Sequence, residues 1–546
     1  MKKTILILTI SFSFFSINKM AGQAPTIKWW YNTNDASFGQ PAAGDIDGDG
    51  KLELVFGCYR NDSCVYALNA EDGTLLWKYN THPAGAEGCN DVAPIIYDVD
   101  NDGSLEVIVP SSCNPVTFCF NGLTGAIKWQ CNTRGSDSPP AIADVDNDGK
   151  PEILHGEFGG YVICINAEDG SVSWEIPVDL NSWIQTAPTI VDLDNNGQLD
   201  FVVGTWNNNQ LDSNKLYAYR GDNHTLLWTY AIRDLMYHGT AVADLDKDGK
   251  PELVIGSYSD TLYCINGENG TTKWKYAASG GYIGAPASIG DIDNDGNCEV
   301  VFVSGYKVTA LTGTGSFKWQ YIIPGYVGAF RGVVLADINN DSYLDVIFGT
   351  EAYSGTGGTV KALSGNNGTL LWSIDLSAHY GNLNFGFDNA PLVADFDNDD
   401  TLDVFVVGGY SEYPAFQNNY GRAYMLSASK GNGPDWLMFQ QDVKRRSSLC
   451  IDSSSTVNEL SKVNTLSVKI FPNPSNTFTT ICFSNPQNEN LTLLIYNSEG
   501  QVVRKMENVK GTEAALDNKN MKSGLYFIQL LNDSGIAGKG KFLIEE

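Results

Sequence analysis

Nine residues at positions 45–53, DIDGDGKLE, gather four carboxylates and run directly into the apolar stretch LVFG. The pattern recurs at 98–106, 144–152, 192–200, 244–252, 291–299, 337–345 and 395–403. Acidic or amide side chains alternate at positions 1, 3 and 5, so all three turn toward one point. Position 6 is usually glycine, which allows a sharp turn, position 7 offers a backbone carbonyl, and an acidic residue at position 9 closes the cage. Six or more oxygens around one centre suit a hard cation, Ca²⁺ above all. The candidate ligands are Asp45, Asp47, Asp49 and Glu53; Asp98, Asp100, Asp102 and Glu106; Asp144, Asp146, Asp148 and Glu152; and Asp192, Asp194, Asn196 and Asp200. The second half of the chain adds Asp244, Asp246, Asp248 and Glu252; Asp291, Asp293, Asp295 and Glu299; Asp337, Asn339, Asp341 and Asp345; and Asp395, Asp397, Asp399 and Asp403. Up to eight structural calcium ions are expected.

An EF-hand opens in the same way but needs its Glu at position 12 and helices on both sides. Here position 12 is Phe56, Val109, His155, Val203 or Ile255, inside an apolar run. Position 2 is always apolar, from Ile46 to Phe396, so each loop turns one face to the cation and the other to a core. The eight loops hold 31 of the 64 acidic residues, and eight divalent ions would bring the formal charge from −29 to −13. Two loops are weaker: Asn339 and Ser342 replace Asp and Gly in the seventh, and Asp400 takes the glycine position in the eighth. No basic tract exists to hold phosphates, which argues against a nucleic-acid partner.

The elements that must position these loops repeat with them. Between successive loops lies a strand, a Gly- or Asn-containing turn and a second strand carrying tryptophan: Trp77, Trp129, Trp174, Trp228, Trp274, Trp319 and Trp372. Four short strands per unit of about 40–50 residues, repeated, predict a β-propeller, here of eight blades. The tryptophans are expected to fill the wedges between blades, and His224, at a turn-glycine position, is read as structural. IKWWYNT (27–33) matches the outer-strand segments LLWKYNT and IKWQCNT. It is expected to complete the last blade and close the ring, leaving Trp436 in a lid or a duplicate outer strand. Cys119, Cys164 and Cys264 share one repeat position and read as small core fillers. Cys58 and Cys64 flank a short turn, where a hairpin disulfide and two free thiols are equally compatible with the spacing.

The loops D-x-D-x-D-G-x-x-E resemble the calcium motif of FG-GAP/VCBS-type repeat propellers, and A-x-N-x-x-x-G-x-x-x-W resembles the blade repeat of quinoprotein-like propellers. Together they cover about residues 26–445. The chain beyond them resembles the type IX secretion C-terminal sorting domain of Bacteroidetes: Pro472-Asn473-Pro474, IYNSEG, SGLYFIQL and KGKFLI stand in order. That resemblance implies engagement of the type IX machinery, export to the medium or outer-membrane surface, and removal of the domain. The expected fold is all-β: signal peptide 1–24, propeller 25–446, linker 447–466 and a small Ig-like β-sandwich at 467–546. No later segment approaches a membrane span, and a monomer is expected.

The loops joining fourth to first and second to third strands form the face opposite the acidic loops. Three are long, at 204–215, 349–359 and 408–422. From these, Trp206, Tyr353, Tyr410 and Tyr413 are ligand candidates; Trp183, Tyr237, His238, Tyr282, Tyr326 and Arg331 come from the other loop set. No catalytic motif is present, and the five histidines are scattered. The expectation is a non-catalytic binding or adhesion protein for an extracellular glycan or protein. The alternative is a calcium-dependent polysaccharide lyase, with Tyr237 or His238 as base and Arg331 as charge neutraliser.

Overall fold

A computed structural model describes residues 24–82, 88–431 and 433–450, and most of 468–544; residues 1–23, where a signal peptide is expected, and the Pro472-Asn473-Pro474 segment lie outside the described residues. The chain divides into two compact units between residues 451 and 452.

The first unit contains eight four-stranded antiparallel sheets, the blades of a β-propeller. Blade 1 runs outward through Ala42–Gly44, Glu53–Gly57, Cys64–Asn69 and Leu75–Asn80. Blades 2 to 7 repeat this at 95–132, 141–177, 189–231, 241–277, 288–322 and 334–375. The second strand of blades 1 to 7 is buried throughout, as in ELVFG and EVIVP, and that of blade 8 is buried up to Tyr410. Both its faces meet neighbouring blades, so it reads as a continuous apolar run rather than an alternation.

Blade 8 comprises Leu392–Ala394, Leu402–Tyr410 and Tyr420–Ser429, completed by Thr26–Thr33 as its outer strand. The N-terminal strand therefore closes the ring, antiparallel to 420–429 with Trp30 opposite Tyr424. This closure removes two free sheet edges at once.

Trp436 occupies neither expected place. It exchanges both backbone hydrogen bonds with Val393, on the innermost strand of blade 8. From there the chain follows the inner strands around the ring. Ala43, Ile142, Ile190, Val242 and Ile289 donate backbone N–H groups to the carbonyls of Leu437, Val443, Lys444, Arg446 and Ser447 at 2.8–3.0 Å. The innermost strand of a propeller otherwise presents unpaired N–H groups to the axis, and this segment satisfies them. Arg445 is fully buried and donates to the carbonyls of Pro140 and Phe439, both at 2.6 Å, and of Pro94 at 3.3 Å. Cys450 ends the segment in a disulfide with Cys298, at position 8 of the sixth acidic loop. Ser447 to Cys450 thus pack within the propeller unit. A second disulfide joins Cys89 and Cys113, while Cys58 and Cys64 are free buried thiols.

The second unit has two antiparallel sheets. One orders 468–471, 478–483 and 513–517; the other orders 502–509, 491–497, 524–532 and 535–544. Ile481, Leu493, Ile495, Leu516, Ile528, Leu530 and Phe542 form its buried core.

Candidate functional site

The acidic loops join the first and second strands of each blade, and all keep one geometry. The N–H at position 6 donates to the position-1 carboxylate, as in Gly103 to Asp98 at 2.9 Å and Gly249 to Asp244 at 2.8 Å. In blades 1 to 6 the N–H at position 2 donates to the position-9 carboxylate, as in Val145 to Glu152 at 2.9 Å. The apolar side chain at position 2 is buried in all eight. Positions 4 and 6 both take left-handed backbone, from Gly48 and Gly50 in blade 1 to Asn398 and Asp400 in blade 8. This accounts for Asn or Gly at position 4 in seven of the eight loops, since these residues tolerate that conformation best; Lys247 adopts it in the fifth, at φ 62°. Ser342 and Asp400 adopt it too and donate to Asp337 and Asp395 at 2.9 and 3.1 Å, so the two irregular loops keep the common shape.

The carboxylates converge. Asp45, Asp47 and Glu53 each place an oxygen within 4.8 Å of the others, as do Asp98, Asp100 and Glu106, and Asp144, Asp146 and Glu152. Position 9 is buried in every loop. Buried oxygens of Asp45, Asp200, Asp293, Asp345, Asp397 and Asp403 have no hydrogen-bond partner among the described residues. Burial, aided by the neighbouring carboxylates, pushes Glu53, Glu152 and Asp345 up to about 8. Orphaned carboxylate oxygens facing one another at this spacing fit a divalent cation.

On the opposite face, rings from consecutive connections meet in an arc. Phe158 contacts Trp183 at 4.9 Å between centroids, and Trp183 pairs through its backbone with Trp206. Trp206 contacts Tyr237 and Tyr258 at 5.4 and 5.3 Å; Tyr258 contacts Tyr282 at 5.3 Å, and Tyr282 contacts Phe330 at 6.0 Å. Arg331, mostly buried, lies 5.3 Å over the Tyr237 ring, its Nη1 3.4 Å from Nδ1 of His238. A guanidinium only donates, so His238 accepts at Nδ1 and carries its proton on Nε2, which has no partner among the described residues. Burial and the Arg331 charge hold its pKa well below the usual range.

Two carboxylates, Asp137 and Asp388, interact electrostatically with this arginine. Burial and Asp91 raise Asp137, against the opposing charge of Arg331. Burial raises Asp388, and burial with Asp388 lifts Glu351 to about 7. Gln185 donates to Asp137 at 3.0 Å.

Of the predicted ligand residues, Trp183, Trp206, Tyr237, His238, Tyr282 and Arg331 come together here. Tyr410 stacks on Tyr420 and Tyr413 meets Phe416 edge-on, beside Tyr59. Tyr353 is 64% exposed, with no ring contact among the described residues, and Tyr326 packs on Tyr306. Asp137, Glu351, Asp388 and Tyr258 were not singled out from sequence. Asp137 and Tyr258 fall in connections of ordinary length, Glu351 in the long 349–359 connection and Asp388 in the connection between strands ending at 375 and starting at 392; neither residue type nor spacing marks them, and only their position on the fold distinguishes them.

Fold and site together define a β-propeller with a repeated acidic loop. Five segments, 45–109, 144–203, 192–255, 244–302 and 291–348, match the FG-GAP-like repeat, and 469–545 matches the secretion system C-terminal sorting domain. This is thus a propeller of FG-GAP-like repeats with a type IX sorting tail, and that tail directs export to the cell surface or extracellular space. No helix among the described residues is long and apolar enough to cross a membrane.

One similar protein is the rhamnogalacturonan endolyase YesW of Bacillus subtilis, 27% identical over 253 residues; the match covers 42% of this chain and 38% of that protein. The quinohemoprotein alcohol dehydrogenase of Comamonas testosteroni superposes with a TM-score of 0.52 at 13% identity, over 75% of this chain and 77% of that one. Sqt1 of Saccharomyces cerevisiae superposes at 0.50 with 12% identity, over 74% and 99%. These two likenesses are of fold alone.

Proposed function

We propose that this protein is an extracellular, non-catalytic glycan-binding propeller whose acidic loops hold structural calcium. The observation that carries the binding reading is the aromatic arc around Arg331, on the face away from the acidic loops. Rings stack on the apolar faces of sugars, while carboxylates and an arginine exchange hydrogen bonds with hydroxyls. Connections on a rigid scaffold are where recognition usually lies. Tyr353, Tyr410 and Tyr413 extend the same face as a rim. Calcium would be held by the side chains at positions 1, 3, 5 and 9 and the carbonyl at position 7. Where it is bound, it would tie the first two strands of that blade together and neutralise the cage. A chelator would then lower the melting temperature of the exported chain, and added Ca²⁺ would restore it.

The full chain on a glycan array tests the binding reading. Trp206→Ala and Tyr258→Ala should each weaken retention by roughly 10-fold, about 1.4 kcal/mol, with the melting temperature in calcium unchanged. Unaltered retention in both variants would remove the arc from the proposal.

The second reading, a polysaccharide lyase, is favoured by the likeness to the rhamnogalacturonan endolyase. Arg331 would neutralise a uronate carboxylate and Tyr237 or the neutral His238 would take the adjacent proton. Incubation with rhamnogalacturonan separates the two readings: new unsaturated chain ends that disappear in Arg331→Ala would establish the lyase.

A further inference from the structure

The acidic loops fall into two groups that the repeat motif does not distinguish. In blades 2, 5, 6 and 8 the residue before the wedge tryptophan is Lys128, Lys273, Lys318 and Lys28. Each reaches into its own loop and bridges positions 3 and 9. Lys128 lies 2.8 Å from Asp100 and 2.9 Å from Glu106; Lys28 lies 2.8 Å from Asp397 and 2.9 Å from Asp403. Lys273 contacts Asp246 and, at 2.7 Å, Glu252, while Lys318 contacts Asp293 and, at 3.0 Å, Glu299. Blade 4 has Leu227 at the lysine position, but Arg220 arrives from the third strand instead, 2.7 Å from Asp194 and 3.9 Å from Asp200. Two different backbone positions thus deliver the same charge to the same pair of carboxylates.

Blades 1, 3 and 7 carry Leu76, Ser173 and Leu371 there. No basic side chain among the described residues lies within ion-pair distance of their position 1, 3, 5 or 9 carboxylates. In blade 7, Asp345 is fully buried and neither oxygen has a hydrogen-bond partner among the described residues, and in blade 1 an oxygen of Asp45 is buried without one among them. In blades 6 and 8 the orphaned oxygens belong to carboxylates whose other oxygen already meets lysine.

We infer that five loops carry their own cation and that calcium occupies the loops of blades 1, 3 and 7. This rests on the calcium reading above and concerns which loops require the metal. An ammonium or guanidinium within 3 Å of position 3 leaves less negative charge for a metal and repels a divalent ion at the same centre. The cost should weaken binding there on the order of 100-fold.

Equilibrium dialysis of the full chain at about 1 mM free Ca²⁺, with bound metal counted by mass spectrometry, tests this. Three ions are expected in the native protein, one for each loop whose positions 3 and 9 are not bridged by a basic side chain. Lys273→Met should add one and Ser173→Lys should remove one, with melting in calcium confirming that each variant folds. If Lys273→Met does not fold, Ser173→Lys decides alone. Eight ions in the native protein, or a count unmoved by folded variants, overturns the inference. No bound ion in any variant overturns the calcium reading beneath it.

Discussion

At the scale of single residues, Glu351 gives the face opposite the acidic loops a pH response. Its ordinary value near 4.5 rises to about 7 through burial and the nearby Asp388. Between those values the folded protein keeps a proton that the unfolded chain has released. Stability therefore falls as pH rises through this window and levels off above it. Glu351→Gln removes the effect. Denaturant melts should show the variant more stable than the native protein at pH 8, by on the order of 2 kcal/mol, and equal to it at pH 4. Equal stability at both would mean the carboxylate is solvated. Sequence could not single out Glu351, because the partners that perturb it arrive from other blades. The acidic loops were legible since all their donors lie within nine residues. Lys28, far in sequence from Asp397 and Asp403, was not.

At the scale of elements, the wedge tryptophans show how blades are joined. Trp129 donates its indole N–H to the carbonyl of Ala167 in the next blade at 2.8 Å, and Trp228 does the same to Gly267 at 2.7 Å. Each ring covers a turn glycine of that next blade; a Cβ on Gly170 would sit 2.5 Å from the Trp129 ring, and its φ is +74°. Gly170→Ala should therefore cost about 1–3 kcal/mol in a melt. Blade 4 shows the exception that was expected to be structural. His224 holds the left-handed position at φ 60°, and its ring packs 4.2 Å from Trp174. The residue opposite each tryptophan is small, Ala67, Cys119 or Cys164 among them. This explains the shared cysteine position as packing rather than redox chemistry.

At the scale of the whole molecule, residues 433–450 line the axis of the ring. Replacing Arg445 by Met would leave the carbonyls of Pro94, Pro140 and Phe439 without their donor. Scanning calorimetry should show a loss of about 3 kcal/mol or more, since unsatisfied buried groups cost about 1–3 kcal/mol each. The sorting tail makes a separate prediction. It is a compact unit with its own core, so deleting residues 468–546 should leave a propeller that folds and melts normally but stays in the periplasm. Normal arrival of the truncated chain at the surface or in the medium would show that export does not depend on the tail.

Local pattern was enough for whatever is encoded within one repeat: the acidic cage, the buried second strand, the tryptophan on the fourth, and the N-terminal strand that matches a fourth strand elsewhere. These read directly because a repeat solves the same packing problem eight times. Tertiary structure alone decided the rest. The path of Trp436 to Cys450 depends on inner-strand N–H groups from blades spread along the whole chain, which no local pattern announces. The disulfides pair cysteines brought together by that path and by adjacent connections, not by a hairpin. The gathering of Trp206, Tyr258, Arg331, Asp137 and Glu351 on one face follows from closure of the ring. Closure carries residues from separate blades to the same end of the axis, where their charges and rings act on one another across distances that sequence separation does not measure.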